Sequence, residues 1–230
     1  MNIMVVGAGQ MGGGIAQVMA AAGQLTYLND INLEIVNQRL DVIAGWLAKS
    51  VQKSKISEAE RAETLANIIH SADLKDAENC DIVIEAVIEN LELKAEIFRK
   101  LDQVTKPGCI LATNTSSLSI TQLAAQTHRP GKVIGMHFSN PVPLMKLVEL
   151  IRGEATSDET FRAVQELVLS LGKTPVEVLD VPGFVLNRVL QVMINEAIWC
   201  LHEGMASAEG IDTVMKLGAN QPMGPLSLAD

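Results

Sequence analysis

The chain has 230 residues, a net charge of −9, 48% hydrophobic residues and only 3% aromatics. That length holds one large domain, or one domain with a smaller companion, and the core must be built from Val, Ile, Leu, Ala and Met rather than from rings. The acidic balance argues against nonspecific nucleic-acid binding, and no apolar run approaches the roughly 18 residues that a membrane helix needs. Cys80, Cys109 and Cys200 are an odd number without C-x-x-C spacing, which suits free thiols in a reducing compartment, the cytoplasm, better than a disulfide frame. No metal-ligand cluster is visible. The amino terminus enters a strand pattern at once, so no leader is expected.

Met1 to Val6 is an apolar, β-branched run that reads as a buried strand, and the turn Gly7-Ala8-Gly9-Gln10-Met11-Gly12 follows directly. Gly13 to Ala22 reads as a helix closed by Gly23, Leu25 to Leu28 as a second strand, and Asp30 stands at its carboxyl end. In this strand–turn–helix–strand–acid arrangement Gly7 permits the tight turn, Gly9 lets a pyrophosphate approach the backbone, and Gly12 lets helix and sheet pack closely. The helix start offers N–H groups and partial positive charge to the phosphates. Asp30, 18 residues after Gly12, is placed to accept from the adenosine ribose hydroxyls. A carboxylate there repels a 2′-phosphate, so the expected cofactor is NAD rather than NADP.

Leu33 to about Ser54 has a helical pattern, and Ser57 with Glu60 forms a capping box for a second helix to about Asn67. Residues 33–67 therefore read as a helical hairpin standing off the first domain. Lys49, Lys53 and Lys55 cluster at its tip, either as a solvated face or as a landing site for a phosphorylated ligand. Strand patterns return at Ile68–Ser71, Ile82–Val87, Cys109–Thr113, Lys132–Met136, Leu147–Ile151 and Thr174–Val178, with helices at Leu91–Val104, Ile120–Ala125 and Thr160–Leu171. This alternation predicts an α/β fold with a mostly parallel, Rossmann-like sheet, and ligands bind outside the carboxyl ends of such strands. Asp180-Val181-Pro182-Gly183 reads as a boundary between a domain at 1–181 and a helical one at 182–230, with helices at Phe184–His202 and Ser207–Leu217.

His137 follows a strand at the carboxyl edge of that sheet. A lone histidine is often structural, yet hydride transfer from an alcohol needs a base near neutrality, and an imidazole suits it. Glu149 interrupts the apolar run Leu147-Val148-Glu149-Leu150-Ile151, where a buried charge is costly unless paired. It is either the carboxylate that orients the imidazole or an edge-strand residue facing water.

Six stretches, GAGQMGGGIA, IEAVIENLELK, ATNTSSLSI, GMHFSNPVPLMKLVELI, DVPGFVLNR and GANQPMGPLSLAD, give the chain a resemblance to the L-3-hydroxyacyl-CoA dehydrogenase family, particularly its bacterial 3-hydroxybutyryl-CoA members. The resemblance implies that His137 is the catalytic base and Glu149 its partner. Ser116 would hydrogen-bond the substrate's 3-oxygen near the nicotinamide, and Asn187, on the helical domain, would help hold the substrate. Glu89 and Lys94 would contact the cofactor, and Asn140 would stand where cofactor and substrate meet. Lys53 corresponds to the region that contacts the CoA phosphates. The acyl-CoA would enter between the domains. Family members usually continue past the position of Asp230 with further helices used for dimer contacts, so the second domain is expected to be partial and to expose apolar faces, with homodimerisation depending on those helices. Two competing readings stand beside this one: a relative of the 3-hydroxyisobutyrate and 6-phosphogluconate dehydrogenases, which rely on a lysine, and a catalytically inert NAD-binding protein of the same fold.

Overall fold

The computed structural model describes residues 1–230 and separates them into two compact units, Met1–Val181 and Pro182–Asp230. The first is built on an eight-stranded sheet: β1 (Asn2–Val6), β2 (Leu25–Asn29), β3 (Ile68–Ser71), β4 (Ile82–Glu85), β5 (Ile110–Thr113), β6 (Val133–Phe138), β7 (Leu147–Arg152) and β8 (Thr174–Leu179). Their spatial order is β3-β2-β1-β4-β5-β6-β7-β8. The first six strands are parallel and follow the doubly wound order of dinucleotide-binding sheets, with the reversal of winding between β1 and β4. The central strands β1, β4, β5 and β6 are short, mostly apolar and buried, because both of their faces are covered. Ile3, Val5, Ile82, Ile84 and Ala112 sit in the core.

The sheet departs from all-parallel pairing at one joint. β7 runs antiparallel to β6, and β8 runs parallel to β7. An apolar run has the same pattern in either direction, so the sequence expectation of parallel crossovers does not see this reversal.

Helix α1 (Gln10–Ala21) starts three residues before the sequence pattern suggests, taking Gly12 into its first turn. A Cβ on Gly12 would lie 1.7 Å from the carbonyl oxygen of Gly7, so only glycine lets the helix begin so close to the turn. The hairpin α2 (Leu33–Gln52) and α3 (Glu58–Ala66) does not stand off the domain. Val36, Ile43 and Leu47 of α2 are buried in the main core, and both helices pack against α1. Those three residues share one face of α2, which supplies the hydrophobic stripe that holds the hairpin down. The Ser57–Glu60 capping box forms as expected. The outer layers are completed by α4 (Leu91–Val104), α5 (Ile120–Ala124) and α6 (Asp158–Ser170).

The second unit contains α7 (Leu186–His202), α8 (Ala208–Gly218) and the short α9 (Pro225–Ala229), which the sequence pattern did not reveal. Asp212 on α8 accepts the N–H groups of Leu226 and Ser227 at 2.8 and 2.9 Å and so caps α9. Within this unit Val189, Val192, Trp199, Val214 and Leu217 are exposed. The three cysteines are free, and Cys80 and Cys109 are buried, where loss of solvation pushes their thiols up to about 12 and about 11. No helix is long and apolar enough to cross a membrane.

Candidate active site

The site begins where β1 stops. Gly7 turns the chain with φ +102°, a conformation that L side chains rarely adopt, and its N–H donates to Asn29 O at 2.8 Å. Gly9 is the N-cap of α1, and no side chain caps that helix. A Cβ built on Gly9 meets nothing within 4 Å, so open space lies over the backbone at the helix start. Gln10 and Met11 form the first turn, and with Gly7, Gly9, Asn29, Asp30, Ala86 and Val87 they line a cavity of about 660 Å³. The cavity lies at the carboxyl ends of β1, β2 and β4, across the reversal of winding, where ligands of such sheets bind. A helix N-terminus without a side-chain cap, open space over glycine and an acid on the cavity wall together fit a dinucleotide.

Asp30 is engaged in shaping this turn. Its Oδ2 accepts from Ala8 N–H at 2.7 Å and its Oδ1 from Ile31 N–H at 2.7 Å. Arg39 of α2, which no sequence motif singles out, donates from Nε to Ala8 O at 3.0 Å and braces the turn from the other side.

The second part of the site is the pair His137 and Glu149. They are direct partners across the antiparallel β6–β7 joint, so their side chains emerge on the same face. His137 Nδ1 is 2.8 Å from Glu149 Oε2, with His137 7% and Glu149 2% exposed. The pairing meets the cost of placing a carboxylate in an apolar strand, and excludes the alternative of a water-facing edge residue. Asn140, exposed just beyond β6, accepts from Gln10 Nε2 at 3.2 Å, which ties the loop after the histidine to the first turn of α1.

The third part is the loop after β5, carrying Asn114, Thr115, Ser116 and Ser117. Asn114 Oδ1 accepts from Phe138 N–H at 2.9 Å, linking this loop to the strand that bears His137. Glu89 Oε1 takes the Thr115 hydroxyl and the N–H groups of Ser116 and Ser117, the latter two at 2.9 and 3.1 Å. Burial alone would raise the Glu89 carboxyl, but the Thr115 hydroxyl, the Lys94 charge and the Ser116 N–H outweigh it and hold it below its usual range. Lys94 is 1% exposed and donates to Glu85 Oε1 at 2.7 Å and Val87 O at 3.3 Å, while lying 3.4 Å from Glu89. Neither Glu89 nor Lys94 is part of the cavity lining. Both brace the loop that holds Ser116.

The remaining residues are more distant in role. Lys53 caps the end of α2, exposed and outside the cavity lining. Asn187 lies half-buried in the first turn of α7 in the second unit. Glu85 was overlooked in the sequence, although it ends the apolar run Ile82-Val83-Ile84 just as Glu149 interrupts its own, and that signal could have found it.

A model of the 3-hydroxyacyl-CoA dehydrogenase NAD-binding domain matches residues 2–181, and one of the C-terminal domain of the same enzymes matches residues 183–230. The chain is 56% identical to a probable 3-hydroxybutyryl-CoA dehydrogenase of Bacillus subtilis, over all of this chain and 80% of that protein. It is 44% identical to the human mitochondrial hydroxyacyl-coenzyme A dehydrogenase, over all of this chain and 75% of that one. The crystal structure of the (S)-3-hydroxybutyryl-CoA dehydrogenase of Ralstonia eutropha is similar with a TM-score of 0.97 and 50% identity, covering 99% of this chain and 81% of that one. The chain thus belongs to the 3-hydroxyacyl-CoA dehydrogenase family.

Proposed function

We propose that the protein transfers hydride between NAD and carbon 3 of a short-chain 3-hydroxyacyl-CoA, with 3-hydroxybutyryl-CoA and acetoacetyl-CoA as the reference pair. The observation that carries this reading is the buried His137–Glu149 pair at the carboxyl edge of a dinucleotide-binding sheet. When bound, NAD supplies the hydride acceptor in one direction and, as NADH, the donor in the other.

The chain's own residues supply the proton chemistry. An ionised Glu149 only accepts hydrogen bonds, so Nδ1 of His137 carries its hydrogen and the lone pair resides on Nε2. Nε2 takes the proton of the 3-hydroxyl as the hydrogen on C3 departs with its electron pair, leaving a 3-oxo group. Glu149 then faces an imidazolium and stabilises its charge, in a setting where low local dielectric strengthens the interaction. Ser116 holds the C3 oxygen and Asn187 the thioester end, while Asn140 fixes the region where cofactor and substrate meet. The turn Gly7–Gly12 with Gln10 and Met11 holds the pyrophosphate, and Asp30 the adenosine ribose. Lys53 offers a positive charge to the CoA phosphates. In the reverse direction the imidazolium returns its proton to the oxygen of a 3-oxoacyl-CoA.

Homodimerisation belongs to this reading through the further C-terminal helices that the resemblance implies, which would cover the exposed apolar residues of the second unit. Three free cysteines support the cytoplasm as its location. The test of function is NADH absorbance with acetoacetyl-CoA, followed across acyl lengths. Oxidation of NADH that is fastest with the four-carbon substrate is the expected result, and NADH binding without oxidation of any 3-oxoacyl-CoA overturns the reading.

A further inference from the structure

We propose that Glu85 is a positioning residue that fixes Ser116 for the reaction through two separate hydrogen-bonded arms. This rests on the reading above that Ser116 holds the C3 oxygen.

Glu85 is fully buried at the carboxyl end of β4, and its side chain bonds to Val87, Lys94 and Thr113 rather than to the glycine turn or the histidine pair. A carboxylate in that place needs strong partners, and it has three of them. Oε1 accepts from Lys94 Nζ at 2.7 Å and from Val87 N–H at 2.7 Å, and Oε2 accepts from the Thr113 hydroxyl at 2.7 Å. Each of two partners leads to the Ser116 loop. Along the first arm Lys94 is held between Glu85 and Glu89, and Glu89 takes the N–H groups of Ser116 and Ser117. Along the second, Thr113 gives its hydrogen to Glu85, so its oxygen is turned to accept from Thr115 N–H at 3.2 Å.

The hydrogen-bond directions make Glu85 the root of both arms. An ionised carboxylate can only accept, so it fixes the donor sense of Thr113 and of Lys94 together. Without the charge at Glu85, Lys94 would keep only the longer contact to Glu89 among its carboxylates. Glu89 is itself 38% exposed at its side chain and would lose the anchored ammonium that faces it. The loop would then be free to shift by a fraction of an ångström, which suffices to spoil the placement of a hydrogen-bonding group at a reacting oxygen. A purely structural ion pair would require none of the connections to residues 115–117.

The test is a double-mutant cycle on the enzyme with NADH and acetoacetyl-CoA. Glu85→Gln, Ser116→Ala and the double variant are compared for kcat, KM, NADH dissociation constant and melting temperature. Expected for Glu85→Gln is a kcat lowered by roughly tenfold or more with NADH binding changed less than about twofold, and a double variant about as slow as Ser116→Ala alone. If the two losses multiply, or if Glu85→Gln keeps native kcat while Ser116→Ala is slow, the proposal is overturned and the Ser116 reading stands. An unchanged kcat in Ser116→Ala overturns the Ser116 reading itself. Should Glu85→Gln not fold, Thr113→Val, which keeps the volume and cuts the second arm, takes its place in the same cycle. It is expected to lower kcat by about threefold and to be non-additive with Ser116→Ala, and multiplying losses there again overturn the proposal.

Discussion

His137 and Glu149 face each other as register partners across the reversed strand pair β6–β7, with Nδ1 and Oε2 2.8 Å apart. On the proposed mechanism one residue takes the proton and the other holds its charge, so they should act as a unit. His137→Ala is expected to lower kcat by about 10²–10⁴-fold, the usual range for a lost general base. Glu149→Ala should fall in the same range, and the double variant should be little slower than His137→Ala alone. Steady-state kinetics with acetoacetyl-CoA check this, and near-native turnover in both single variants would favour lysine-based chemistry instead.

The glycine turn offers a separation of folding from binding. On Gly12 a methyl group would collide with the Gly7 carbonyl, so Gly12→Ala should lose at least about 1–3 kcal/mol and melt roughly 2–12 °C lower. On Gly9 a methyl group meets only open space, so Gly9→Ala should melt within about 2 °C of the native chain. Its NADH dissociation constant should nonetheless rise by about tenfold, a loss of about 1.4 kcal/mol. Thermal melts and NADH fluorescence titrations distinguish the two.

Asp30 holds the Ala8 N–H and stands on the cavity wall at the end of β2. Asp30→Ala should therefore weaken NADH binding and at the same time lower the exclusion of NADPH. The ratio of kcat/KM for the two cofactors is the measurement. A native enzyme already faster with NADPH would refute the role given to this carboxylate.

Acid should destabilise the first unit through identifiable groups. Burial alone would raise the Asp180 carboxyl, but bonds from Thr121, Ser119 and Ile120 outweigh it and hold the group below its ordinary 3.8. Glu89 is likewise held below 4.5. Around and below these ordinary values the unfolded chain binds more protons than the folded one, so stability falls as pH falls. The contribution is fully present above about pH 5 and is lost as pH drops through the folded values of the two groups. Urea midpoints measured from pH 6 downwards should show this, and Asp180→Asn should flatten the slope.

Lys173 adds a slope of the same sign in the alkaline range. It is buried without a carboxylate partner and donates to Val142 O at 2.6 Å and Met145 O at 2.7 Å, pinning the segment between β6 and β7. Burial pulls its ammonium below the ordinary 10.5. Between the folded value and 10.5 the unfolded chain holds more protons, so this residue's contribution to stability rises with pH. Lys173→Met should abolish that rise in alkaline melts and, by loosening the segment that contains Asn140, raise KM more than it lowers kcat.

Much of the nucleotide half was legible because its information is local. The strand, the glycine spacing, the helix and Asp30 lie within thirty residues, and each has a steric or electrostatic reason tied to its position. His137 and Glu149 were legible one at a time, as a histidine at a strand end and a charge in an apolar run. Their meeting was not, because register depends on the direction of β7, and hydrophobic pattern is blind to direction. The seating of the hairpin is not legible from its basic tip; it follows from Val36, Ile43 and Leu47, whose spacing marks a buried stripe. The Glu85 network stayed hidden because its members come from β4, α4 and the loop after β5, and only folding brings donors to acceptors.

The reversed joint between β6 and β7 makes proton transfer a question of parity. Along a strand, odd and even positions look to opposite sides, so a slip of β7 by one place would send the acid at 149 to the far side of the sheet. A slip of two would restore the side but put a different residue across from the histidine. The glycine turn, built from parallel neighbours on the other flank, would register neither change. One inserted residue between positions 139 and 146, if the strand absorbed it in place of the bend, would yield a protein that still grips its nucleotide and has lost its chemistry.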